Sequence, residues 1–271
     1  MPDAAPVRVM GILNATPDSF SDGGRFLDPA AALVQARRMA AEGAQILDIG
    51  GESTRPGAPA VDAGTEIERV VPLIAALRAE RPITLSVDTM KPEVARAAVA
   101  AGADIWNDVS ALTWAPDSAE VAAELGCQVV LMHMLGDPRT MQTAPRYEDV
   151  VGEVEAYLLA RAEAAMAAGV ARDRIWLDPG IGFGKTLAHN LALLARLDRF
   201  VALGFPMLLG VSRKSFIKAI DPRAESPGDR LGGSLACALA GARAGVAAVR
   251  VHDVVETVQA LAVARALQAA G

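Results

Sequence analysis

The chain has 271 residues, of which 52% are hydrophobic, 4% aromatic and 21% charged, with a net charge of −6. That length and apolar content support a large core and exclude a disordered chain or a small disulfide scaffold. The acidic balance argues against a dedicated nucleic-acid binder, but it leaves room for a local basic pocket that takes an anion.

Short Val/Ile/Leu-rich runs alternate with alanine-rich helical runs along the whole sequence. Strands are predicted at 7–14, 45–50, 83–89, 104–109, 128–134, 174–178, 206–212 and 247–253. Helices are predicted between and after them at 28–42, 65–80, 92–101, 118–125, 149–168, 187–203, 229–244 and 255–269. The strand runs are mostly unbroken, as in strands covered on both faces. Glycines such as Gly126 and Gly245 follow helices, where a left-handed closing residue suits glycine. Asp28 followed by Pro29 reads as an N-cap with proline in the first turn. Eight βα rounds without a composition break predict one domain over 1–271, an α/β protein of the (β/α)8 TIM-barrel class. A doubly wound sheet fits less well, since it usually has five or six strands and a Gly-rich first turn. Cys127 and Cys237 lie far apart and read as reduced, buried thiols. No basic start leads into an apolar run, and no apolar run approaches the ~20 residues of a membrane span, so a cytoplasmic protein without a signal peptide or a membrane partner is expected.

Barrels of this class build their sites at the C-terminal ends of the strands. The residues closing the predicted strands are Asn14, Glu52, Asp88, Asn107 with Asp108, His133, Asp178, Arg213 with Lys214, and Arg250 with His252. Polarity begins at any strand end, which accounts for one or two of these. It accounts poorly for acids, amides and cations gathered on one rim. Arg250 and His252 are two apart on one strand and project to the same side, where both reach one anion. His252 alone would read as a capping or buried histidine. Asn14 admits two readings, a turn asparagine or an oxygen ligand for a hard cation such as Mg²⁺. The first and second loops, at 14–24 and 53–59, are long and polar, as functional loops often are.

Gly180-Ile181-Gly182-Phe183-Gly184-Lys185-Thr186 resembles a phosphate loop but fails on spacing, because Pro179 stands where the first glycine is needed. Its glycines are expected to let the loop pass close to a flat ligand. Asp88, Asn107 and Asp178 suit a ring with an N–H/NH₂ edge, which a carboxylate meets with two parallel hydrogen bonds. Lys214 suits a carbonyl or ring nitrogen on the opposite edge. Together they describe a 2-amino-4-oxo pyrimidine ring, as in pterins or guanine. The competing reading makes each of the three a helix N-cap, most persuasively at Asp88.

The segment from Met10 to Gly24 (MGILNATPDSFSDGG) closely resembles the first signature of the dihydropteroate synthases, and Leu47 to Gly57 (LDIGGESTRPG) resembles the second. Ser86-Val87-Asp88-Thr89, Trp106-Asn107-Asp108-Val109, the run from Leu177 to Lys185, Gly210-Val211-Ser212-Arg213-Lys214-Ser215 and Arg250-Val251-His252-Asp253 follow in family order. The resemblance runs from the first strand to the last. Ala15 stands where many relatives carry valine. The resemblance implies a transferase that joins 4-aminobenzoate to (7,8-dihydropterin-6-yl)methyl diphosphate, with Mg²⁺, as a homodimer. It implies a pterin site of Asp88, Asn107, Met132, Asp178, Phe183, Lys214 and Arg250. It implies a diphosphate site of Asn14, Arg55, Arg250 and His252, with Asn14 on the metal. Phe20, Thr54, Pro56, Lys214 and Ser215 would form the aminobenzoate pocket, and Asp22 would face the developing cation. A pterin-dependent methyltransferase barrel would share the ring contacts without needing the Ser212–Ser215 run. A non-catalytic pterin-binding barrel would be expected to have lost rim residues, and none is lost.

Overall fold

The computed structural model describes residues 6–15, 29–52, 60–80, 82–136 and 140–270. Eight strands form one parallel sheet: β1 Arg8–Asn14, β2 Ile46–Gly50, β3 Thr84–Asp88, β4 Ile105–Asp108, β5 Gln128–Met132, β6 Ile175–Asp178, β7 Leu208–Gly210 and β8 Ala248–Val251. Around them lie α1 Pro29–Ala41, α2 Ala63–Glu80, α3 Pro92–Ala100, α4 Ser118–Leu125, α5 Val150–Ala167, α6 Leu187–Leu194, α7 Leu197–Val201, α8 Ser215–Ile220, α9 Leu231–Ala244 and α10 Val254–Ala269. The strand order β6-β5-β4-β3-β2-β1-β8-β7 is that of a barrel, as expected. The closing seam between β6 and β7 is thin. One bridge pairs Leu177 with Met207, and the Leu177 N–H donates to the Pro206 carbonyl at 2.9 Å. By contrast, β1 and β2 share five register pairs.

Two apolar layers explain why the strands read as unbroken runs. Inward-facing Met10, Ile46, Ile105, Val130, Trp176, Leu208 and Ala248 pack with one another inside the barrel. The alternate positions, such as Val9, Leu47, Leu85, Trp106 and Val249, pack outward against the helices. Each strand therefore buries both parities.

The departures from the predicted elements are local. The 206–212 strand contracts to Leu208–Gly210, because the chain turns sharply at Arg213, which takes a left-handed φ of 59°. The helix predicted at 187–203 is two helices, with Arg196 leaving the helical region at φ −126° and ψ 28°. Its apolar pattern runs through the break, since Leu193 and Phe200 are both fully buried. The helix predicted from 229 begins at Leu231, after a 3-10 turn Pro227–Arg230 in which the Asp229 carboxylate accepts from the Ser226 N–H and hydroxyl. The helix α8 was not predicted. Gly126 and Gly245 close α4 and α9 in the left-handed region, as expected. Asp28 lies outside the described residues. Both cysteines are free thiols, as expected, but only Cys127 is buried, which pushes it up to about 11, while Cys237 is half-buried. Among the described residues no helix is long and apolar enough to cross a membrane.

Candidate active site

Two residues beyond the inner apolar layer, the same inward parity turns polar. On neighbouring strands Asp48 is in register with Ser86, Asp88 with Asn107, Met132 with Asp178, and Gly210 with Arg250. These side chains face the barrel mouth at the C-terminal ends of their strands. Asp48 is fully buried beneath them. Its carboxylate accepts from the Ser86 hydroxyl at 2.5 Å, from the Asn107 amide at 3.2 Å and from Arg250 Nε at 2.5 Å. Arg250 Nη2 donates to Asp88 Oδ2 at 2.7 Å.

One guanidinium thus serves two carboxylates, Asp48 fully buried and Asp88 largely so. Burial pushes Asp88 up to about 7, with the Asp48 charge adding to the shift and the Arg250 charge opposing it. Desolvation works against the charge on Arg250, yet Asp48 and Asp88 hold its pKa above the usual arginine range. Asp178 is raised by burial, against the pull of the Lys214 charge and of the Gly180 N–H that it accepts at 2.7 Å. Gly210 lies beside it: a Cβ there would stand 3.8 Å from Asp178 Oδ2, in ordinary contact.

The N-cap reading of the three residues does not hold. The caps of α3, α4 and α6 are Lys91, Asp117 and Thr186. Asp88, Asn107 and Asp178 therefore lie on the rim without serving any of the helices that follow them. Buried Met90, Val109 and Met132, with Met134 and Phe183 against them, form an apolar wall beside this rim. The Lys214 ammonium lies 4.4 Å from the centre of the Phe183 ring and donates to the Ile181 carbonyl. Burial pushes Lys214 down to about 8, with Asp178 opposing the shift.

The glycines at 180 and 184 let the loop after β6 pack closely on the segment after β5. A Cβ on Gly180, at φ +66°, would fall 1.9 Å from the His133 carbonyl oxygen. One on Gly184, at φ +61°, would fall 2.7 Å from Leu135. The loop presses against the segment after β5, and that contact is what excludes side chains at both positions.

At the end of β7, the left-handed Arg213 is over-determined by its neighbours. Its N–H donates to Ser234 at 2.9 Å, its carbonyl accepts from Arg230 at 2.9 Å, and its side chain pairs with Asp253. Strain of this kind concentrates at functional loops. Here it presents Lys214 and the exposed Ser215 at the mouth. His252 follows β8, with its backbone N–H donating to the Ser212 hydroxyl at 3.1 Å and its Nδ1 lying 3.0 Å from the same oxygen. It caps no helix through its side chain, since Asp253 holds the N-cap position of α10. Arg250 donates to the Asp48 and Asp88 carboxylates, and His252 lies beside the Ser212 hydroxyl. Asn14 ends β1, half-buried and in register with Gly50. Phe20, Asp22, Thr54, Arg55 and Pro56 lie outside the described residues.

Among the described residues, no group of three or more His, Cys, Asp and Glu side chains is placed to hold a metal ion. A hard cation that keeps most of its waters needs only one or two protein oxygens, and Asn14, half-buried at the end of β1, offers one amide oxygen. A cavity of about 700 Å³ lies elsewhere, on the outer wall, lined by Leu112, Trp114, Pro116 and Arg161 among others. It holds none of the rim groups, and Arg161 in its wall donates to the carbonyls of Ala111 and Leu112.

The sequence reading missed Asp48, Ser86 and Lys185. For Asp48 a signal was present: an acid at an inward parity in the otherwise apolar run Ile46–Gly50.

Residues 10–252 match the family model of the pterin binding enzymes. The chain is 48% identical to the dihydropteroate synthase of Escherichia coli K12 over 264 residues, covering 97% of this chain and 93% of that protein. It is similar to a solved dihydropteroate synthase of Xanthomonas albilineans with 4-aminobenzoic acid, at TM-score 0.92 and 51% identity, covering 98% of this chain and 94% of that one. It is also similar to a Xanthomonas albilineans dihydropteroate synthase in complex with 7,8-dihydropteroate, at TM-score 0.89 and 48% identity, covering 98% and 95% of the two chains. With its polar rim at the mouth of a parallel barrel, the chain belongs to the pterin binding enzymes, among the dihydropteroate synthases.

Proposed function

We propose that this protein joins 4-aminobenzoate to (7,8-dihydropterin-6-yl)methyl diphosphate, releasing diphosphate and 7,8-dihydropteroate. The observation that carries this reading is the set of Asp88, Asn107 and Asp178, three inward side chains on one rim that none of the following helices uses as a cap. They match the N–H edge of the pterin ring, with Met132 and Phe183 flanking it and Lys214 meeting its opposite edge.

The reaction breaks the bond between the pterin methylene and the diphosphate oxygen, and the electron pair leaves with diphosphate. The ring stabilises the cation left behind. The amine of 4-aminobenzoate then attacks that carbon and loses a proton. This sequence demands positioning and charge more than a general base. Arg250 covers the pterin from its anchorage on Asp48 and Asp88, and with Asn14, Arg55 and His252 it draws off the charge of the leaving group. Asn14 would hold Mg²⁺ together with the diphosphate oxygens, and the ion when bound supplies further charge neutralisation. Phe20, Thr54, Pro56, Lys214 and Ser215 receive 4-aminobenzoate, and Asp22 faces the cation. Diphosphate release measured with and without 4-aminobenzoate, with the pterin product identified by mass, tests the reading; absence of dihydropteroate overturns it. The reading carries a homodimer with it, to be read as twice the chain mass in sedimentation.

A further inference from the structure

The rim described above gives no role to Lys185, a cation buried beside it. Lys185 is 3% exposed, and its side chain lies between two loops. Its ammonium stands 2.8 Å from His133 Nδ1, 3.3 Å from the His133 carbonyl and 3.0 Å from the Phe183 carbonyl. An ammonium has three protons, and these are three acceptors. His133 follows β5 directly after Met132. Phe183 is in the loop after β6, two residues beyond the Ile181 carbonyl that Lys214 donates to.

We propose that Lys185 is a positioning residue for the pterin slot, tying the segment after β5 to the loop after β6 and so fixing Met132, Phe183 and the partner of Lys214. Supporting contacts converge on the same two segments. Tyr147 donates to the Gly184 carbonyl at 2.9 Å, and Asn190 accepts from the Gly182 N–H at 2.7 Å. The His133 ring is packed edge-on against Tyr157, with ring centres 4.8 Å apart at 83°. Burial and the Lys185 charge push His133 down to about 3, so near neutrality its ring is uncharged and has one nitrogen free to accept. Burial pushes Lys185 down to about 7, with Lys214 adding to the shift and Asp178 opposing it. The Gly180 contact with the His133 carbonyl shows how little slack the two segments have.

The inference rests on the pterin reading of the site, and its test separates the two. Binding of 6-hydroxymethylpterin is measured by calorimetry, and steady-state kinetics are measured for both substrates. Lys185→Met keeps the stem and removes the protons. It is expected to raise the pterin Kd and KM about tenfold, the scale of a displaced binding wall, while the 4-aminobenzoate KM moves less than twofold. A merely structural role would instead lower the active fraction and leave both KM values alone. His133→Leu removes one acceptor and His133→Gln keeps one, so the glutamine variant is expected to bind pterin more tightly than the leucine variant. That pair decides the matter should Lys185→Met fail to fold. Unchanged pterin affinity in Lys185→Met, or equal affinity in the two His133 variants, overturns the positioning role alone. A wild-type protein that binds no pterin overturns the reading of the site and this proposal with it.

Discussion

Two layers of one barrel interior, a single step apart along the same strands, do opposite things. The lower layer, with Met10, Ile46, Ile105 and Val130, is apolar and buried. The upper layer, two residues further on, holds Asp48, Asn107, Asp178 and Arg250, also buried or nearly so. Parity puts both sets inside, and height decides which is packing and which is chemistry. The lower layer gains free energy by leaving water. The upper layer gives some up, since desolvated charges are tolerable only when paired, and here one guanidinium answers two carboxylates.

The sharpest way to break that contrast is to cut into the lower layer. Ile105→Ala is expected to destabilise the fold by about 2–5 kcal/mol in chemical denaturation, while pterin affinity in the folded fraction stays as it was. Asp178→Asn should do the reverse. Calorimetry is expected to show pterin binding weakened by roughly 1.5–3 kcal/mol, because an amide accepts only once where the carboxylate accepts twice. Its unfolding free energy should move by less than about 1 kcal/mol, since a desolvated carboxylate is removed along with its bond to Gly180.

A pH series sharpens the comparison further. Asp88 is raised to about 7 in the folded chain, from the ordinary carboxylate range. Between roughly pH 4 and 7 the folded chain therefore holds a proton that the unfolded chain has released. That contribution to stability is complete below about pH 4 and is lost as pH rises through 7. Asp88→Asn should flatten this part of the melting-temperature profile, and a profile identical to wild type would remove Asp88 as its source. The smallest effect belongs to neither layer. Trp114 is 54% exposed on the outer wall, and Trp114→Ala should alter stability by no more than about 0.5 kcal/mol and turnover not at all.

Much of this contrast was legible in the sequence, for a physical reason. Strands buried on both faces must be apolar at both parities, so the polar residues Asn14, Asp88, Asn107, Asp178 and Arg250 stood out where each run ended. Asp48 escaped notice because it sits inside its run, followed by Ile49 and Gly50, and only its inward parity sets it apart. The partners of Arg250 and His252 could not be read from spacing, because the Asp48 and Ser212 acceptors lie 202 and 40 residues away in sequence. The Lys185–His133 contact spans 52 residues and leaves no local pattern at all. The break between α6 and α7 was equally silent, with no glycine or proline at Arg196 to mark it.

The thin seam between β6 and β7 has a consequence for how the barrel breathes. Asp178 ends one side of it and Lys214 follows the other, with the Lys214 ammonium reaching across to the Ile181 carbonyl. Local opening draws on the least-paired part of a structure, so backbone amides along Met207–Gly210 should exchange with deuterium sooner than those of β1 and β2. A ring gripped by Asp178 and Lys214 together would span the seam and slow that exchange. Occupancy of the mouth would then be recorded as retained protons on a strand that contributes to it no ring-binding side chain of its own.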